Sequence, residues 1–126
     1  MLPKSYHQSH VELLEILLKL QKQITANDVD IIAIKASYEQ LKQVFHQKIM
    51  SLSTKELDSS QIIFWQSAQT EIHRTVRLLA TELLFLQSAR QTKTTEQRLS
   101  KISRSLEQLI IYCQKLIDES PKNPPS

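Results

Sequence analysis

Apolar residues recur along this chain in steps of three and four, and four such runs divide it. The first is Tyr6, His10, Leu13, Leu17, Leu20 and Ile24, with Leu14 and Leu18 widening the stripe. One face of a 3.6-residue period is what this spacing draws, so it predicts a helix from about Ser5 to Ile24. Glu15 and Lys19 add a favourable i,i+4 pair. Thr25-Ala26-Asn27-Asp28 then reads as a turn with N-capping residues ready. The second run is Ile31, Ile34, Tyr38, Leu41, Phe45, Ile49 and Leu52, which predicts a helix to about Leu52 with Asp28 and Asp30 in its first turn. The fourth run, Leu99, Ile102, Leu106, Leu109, Cys113 and Leu116, follows a turn at 92–95 in which Thr94-x-x-Gln97 offers a cap.

The third run is the most apolar. Ile72, Val76, Leu79, Leu83 and Leu86 form the stripe, but Leu83, Leu84, Phe85 and Leu86 are consecutive and cover most of the helix circumference. That pattern predicts a central helix covered on most sides. Its start is open between two capping boxes, Ser53-x-x-Glu56 and Asp58-x-x-Gln61. At roughly 1.5 Å per residue, 61–91 would span about 46 Å against about 30–37 Å for the other helices. The first turns, with Ile62, Ile63, Phe64 and Trp65, would then overhang. Two readings of Trp65 follow: it is covered by Leu2, Tyr6, Leu116 and Ile117, or it belongs to an exposed aromatic patch that binds a partner. Arg90 ends the stripe. It is expected either to serve the fold, by an internal ion pair with Asp28 and Asp30 or by capping the helix C-terminus, or to face a partner.

Short connections between four long helices favour antiparallel neighbours, so the expected fold is all-α, an up-down-up-down four-helix bundle with a long third helix. A single domain is expected over 1–119, with 120–126 a disordered Pro-rich tail. Composition supports this class. There is no glycine, and the prolines are Pro3, Pro121, Pro124 and Pro125. A chain of this length would ordinarily hold about nine glycines. Without them, short β-hairpins, phosphate-binding loops and nucleophile elbows are disfavoured.

Candidate chemistry is sparse. Cys113 is the lone cysteine and sits on a core position, which excludes an internal disulfide and a cysteine-based zinc site. No Glu-x-x-His pair of the di-iron kind occurs, and His7-x-x-His10 lacks partners at ligand spacing. No catalytic residue, cofactor, metal or small-molecule substrate is therefore expected. The N-terminus does not read as a signal peptide, and no apolar run reaches the ~20 residues of a membrane span, so a soluble cytoplasmic protein is expected.

Charge changes the picture more. Residues 1–70 hold seven lysines and seven acidic groups, whereas 71–117 hold eight basic groups against four acidic ones and contain every arginine. Arg90, Lys93, Arg98, Lys101 and Arg104 cluster from the end of the third helix into the fourth. Such segregation is a statement about partners. Nucleic acid is one candidate, but no aromatics interleave with the charges and no helix-turn-helix glycine turn occurs. An acidic protein surface suits arginine-rich faces better, through bidentate carboxylate contacts. A homodimer joined through Ile62 to Trp65 is the remaining alternative.

The segments Leu83-Leu84-Phe85-Leu86-Gln87-Ser88-Ala89-Arg90-Gln91, Arg98-Leu99 and Leu109-Ile110-Ile111-Tyr112-Cys113 together resemble the cyanobacterial heterocyst frequency control protein PatD family. The resemblance is clearest over 72–117. It implies a small non-enzymatic regulator that binds the division protein FtsZ and promotes its assembly, with an influence on heterocyst frequency in filamentous species. It supplies no catalytic residues. The basic cluster with Trp65 is then the candidate contact surface.

Overall fold

The computed structural model describes residues 2–118, and the expected Pro-rich tail lies outside the described residues. Four helices form: α1 (Lys4–Ile24), α2 (Ile31–Val44), α3 (Ser59–Ser88) and α4 (Thr92–Asp118). The fold is all-α, a four-helix bundle. Cross-helix pairs fix the sense of α1 and α2. Glu12 meets Lys48 at 2.7 Å and Lys19 meets Gln40 at 3.4 Å, so positions pair in reverse order.

Local chemistry sets the helix ends. Asp30 caps α2 by accepting from the Ala33 amide at 3.1 Å, so it precedes the first turn instead of lying within it. Of the two candidate boxes, Asp58-x-x-Gln61 starts α3. The Asp58 carboxylate accepts from the Gln61 amide at 2.8 Å, and the Gln61 side chain accepts from the Asp58 amide at 3.0 Å. The bond from the Gln61 amide, with a second from the Ser60 hydroxyl, holds the Asp58 carboxyl below its ordinary pKa. Ser53 instead serves the loop: its hydroxyl accepts from the Lys55 amide and its carbonyl from the Tyr6 hydroxyl. Helix α4 begins at Thr92, ahead of the Thr94 box, with the Thr95 amide bonded to the Gln91 carbonyl.

The second apolar run does not stay α-helical to Leu52. After Val44 the chain makes a π turn, Phe45–Ile49, closed by the Met50 amide on the Phe45 carbonyl at 2.9 Å. The cause lies in the steps Leu41, Phe45, Ile49. Two successive steps of four drift about 80° off one face of an α-helix, whereas a wider turn returns both side chains to the core. Phe45 and Ile49 are fully buried.

One continuous core joins all four helices. Tyr6, His10, Leu13, Leu17, Leu20 and Ile24 of the first stripe are buried, as are Ile72, Val76, Leu79, Leu83 and Leu86 of the third, and Ile102, Leu106, Leu109, Cys113 and Leu116 of the fourth. Leu14 is only half-buried, and Leu18, 43% exposed, does not widen the first stripe. The central position differs from expectation. Helix α1 packs most extensively on α4, and also on α2; α4 packs on α3, whereas α2 and α3 barely meet. The central pair is α1 and α4. Helix α3 is peripheral along one side, which leaves Leu84 65% and Phe85 45% exposed. Consecutive apolar residues there mark a surface, because a helix with a neighbour on only one flank cannot cover its whole circumference.

Candidate protein-binding surface

The cations of the predicted cluster separate into two kinds. Arg98 is built into the fold. Its guanidinium lies 3.7 Å from the Glu82 carboxylate and 4.5 Å from the centre of the Phe85 ring. Glu82 is buried, and its Oε2 atom has no hydrogen-bond partner, so Arg98 supplies the countercharge this carboxylate needs. Phe85 gains a cation over its face and is thereby shielded on one side.

Arg90, Lys93, Lys101 and Arg104 are exposed, and none joins an ion pair among the described residues. Helix α3 stops at Ser88, whose hydroxyl bonds back to the Leu84 and Phe85 carbonyls. Ala89 is extended, at φ −71° and ψ 128°, so Arg90 stands outside the helix in the connecting turn. The expected pairing of Arg90 with Asp28 and Asp30 does not form. Lys93 and Arg104 are eleven residues apart on α4, three full turns, and therefore point from nearly the same face about 16 Å apart. Lys101 flanks them. The remaining arginines of α3 divide likewise: Arg74 is bound by Glu71 at 2.8 Å, and exposed Arg77 joins no ion pair among the described residues.

Trp65 does not belong to this surface. It is 6% exposed and packs edge-on against Tyr6, with ring centroids 5.3 Å apart at 70°. Leu2, Tyr6 and Leu116 share its core cluster. Of the four residues Ile62 to Trp65, only Ile63 is strongly exposed, at 70%. The aromatic overhang is thus a packed end of the bundle, which removes Trp65 as a partner contact.

The titratable groups inside the bundle are packing residues. His10 is fully buried, and its Nδ1 atom lies 2.7 Å from the Tyr6 carbonyl. Burial lowers its pKa, against the Tyr6 backbone contact, with nearby His7 adding to the lowering. His73 stacks on Phe45 at 5.7 Å. Burial pushes the Cys113 thiol up to about 12, which leaves it protonated and unreactive at neutral pH. Among the described residues no three His, Cys, Asp or Glu side chains gather as a metal ion would require. None of the described helices is long and apolar enough to cross a membrane.

A second feature escaped the sequence pattern. Where α2 and α3 diverge, a groove of about 190 Å³ opens, lined by Lys35, Tyr38 and Lys42 on one wall and by Ala80, Leu83 and Leu84 on the other. The signal was the consecutive apolar run itself, which is longer than one buried stripe can use. Compared with known proteins, the chain matches no family model, no curated protein and no solved structure.

Proposed function

We propose that this protein is a non-enzymatic regulatory module of the cytoplasm that binds an FtsZ-like division protein and modulates its filament assembly, with an effect on heterocyst frequency in filamentous species. The observation that carries the reading is the set of exposed cations Arg90, Lys93, Lys101 and Arg104, without an ion pair among the described residues, along the α3–α4 turn and the outer face of α4. Isolated cations on a helix face contribute little to stability, so their segregation needs an external reason. The likeness of 83–91, 98–99 and 109–113 to the PatD family supplies the partner. Arg98 is left out of the contact set because it is engaged by Glu82.

Sedimentation of FtsZ polymer with the wild-type chain and with a Lys101→Glu, Arg104→Glu variant tests this. Co-sedimentation is expected to fall severalfold in the variant while its helical content is unchanged. Equal co-sedimentation would remove the basic face from the reading, and none with either chain would remove the partner. The same cations also permit nucleic-acid binding. A mobility shift of duplex or single strand that weakens steeply with salt would favour that alternative.

A further inference from the structure

The seam between α2 and α3 is where this bundle fails to close. Tyr38 holds the two helices together by donating from its hydroxyl to the Val76 carbonyl at 2.8 Å. Toward the α3 C-terminus from that bond, the groove has an apolar floor. Ala80 is small enough to let a visitor approach the backbone of α3, Leu83 is nearly buried at 7%, and Leu84 forms an exposed wall at 65%. Tyr38, Lys35 and Lys42 line the opposite wall; lysines in such a position lay their aliphatic stems along apolar surface and keep the ammonium in water. At about 190 Å³ the space is smaller than the ~300–1,000 Å³ of sites that enclose a drug-sized ligand or cofactor. It has room for one large side chain.

Charge at the rim decides what that side chain is attached to. Glu39 is answered by Lys42 at 3.5 Å, and the Lys42 ammonium also lies 5.7 Å from the Tyr38 ring centre. Lys35 has no acidic partner among the described residues. The rim therefore carries one uncompensated positive charge next to an apolar slot. A second groove between α3 and α4, walled by Phe64 and Tyr112, is lined by one acidic and one basic residue, Glu71 and Lys115, so its lining carries no net charge.

We propose that the α2–α3 groove seats one aromatic or leucine side chain of an acidic peptide segment from a partner protein, with a carboxylate of that segment meeting Lys35. The site shares no residue with the basic face of α4, so it stands or falls separately from the reading above. An apolar anchor in a desolvated slot supplies affinity, and the rim charge supplies selection between acidic and basic segments.

The probe is a pair of capped tetrapeptides, Asp-Phe-Leu-Glu and Lys-Phe-Leu-Lys, titrated into the isotope-labelled full chain and followed by amide NMR shifts. The acidic peptide is expected to give saturable shifts at Lys35, Tyr38, Leu84 and Gln87, with the basic peptide about tenfold weaker. Lys35→Glu should reverse that preference, and Leu84→Lys should abolish binding of the acidic peptide. Both positions are exposed, so an unchanged thermal midpoint certifies that the fold is kept. Equal binding of the two peptides, no saturable shift at millimolar concentration, or shifts confined to Lys93–Arg104 would overturn the proposal. So would groove shifts that follow protein concentration alone, which would make a second copy of the chain the occupant.

Discussion

Tyr38 offers the sharpest test of how the two peripheral helices are joined. Its hydroxyl is buried, donates to the Val76 carbonyl at 2.8 Å, and has its pKa pushed from 10.0 to about 12 by burial and, secondarily, by the charge of Glu39. Replacing it in Tyr38→Phe removes one hydrogen bond between α2 and α3, which should cost about 0.5–1.5 kcal/mol near pH 8. At higher pH the comparison should invert. The unfolded chain releases this proton near pH 10, whereas the folded chain holds it to about pH 12, so the unfolded state binds fewer protons between those values and stability falls as pH rises. At ~1.4 kcal/mol per pH unit, the wild type loses about 1.4 kcal/mol from this group by pH 11, and the phenylalanine variant loses none of it. The two stability curves should therefore cross between about pH 10 and 11. Tyr6 and Cys113, whose pKa values are also raised, lower both proteins alike and cancel in the difference. Urea unfolding of both proteins at about pH 8, 10 and 11 measures this. If the two lose stability in parallel above pH 10, the hydroxyl is not held in the buried seam and the reasoning fails.

Arg98→Ala should cost about 1–3 kcal/mol by leaving the Glu82 carboxylate buried and uncompensated, whereas Glu82→Leu should be neutral or stabilising; chemical denaturation that found the reverse order would disprove the structural role of Arg98. His10 should make the fold acid-sensitive. Because its folded pKa lies below the ordinary 6.5, the stability it contributes is full above that value and is lost as pH falls through 6.5 toward the lower folded value. A His10→Leu variant should flatten denaturation midpoints over that window, and midpoints falling in parallel with wild type would assign the sensitivity elsewhere.

Much of the fold was legible because hydrophobic rhythm is a local property. The first stripe, from Tyr6 to Ile24, could be read residue by residue, and so could the core positions Ile102 to Leu116, since burial of one helix face is all the pattern encodes. What it does not encode is how many neighbours a helix has. The run Leu83 to Leu86 reads as a helix covered all round, and only the near-separation of α2 from α3 turns Leu84 outward. The π turn at Phe45 was not legible, because two successive steps of four fit a drifting α-helix to Leu52 equally well. On the surface, five cations looked equivalent along the chain. Only the tertiary approach of Glu82 and Phe85 separates Arg98 from Lys101 and Arg104. Trp65 was decided in the same way, by Tyr6 meeting it from α1.

The absence of glycine has a consequence beyond fold class. No described residue has a positive φ, so each turn is made from conformations open to nearly every amino acid. The connections at 25–30, 50–58 and 89–91 hold no position where backbone sterics dictate residue identity. Helix interiors are hardly stricter, since leucine, isoleucine, valine and methionine can exchange wherever summed volume is kept. Selection on such a chain therefore acts on a rhythm and on a few cap residues such as Asp30 and Asp58, with little hold on letters. Descendants of one ancestor can keep this bundle intact while their sequences lose almost every identity. Kinship among proteins of this build is better sought in heptad phase and helix length than in shared residues.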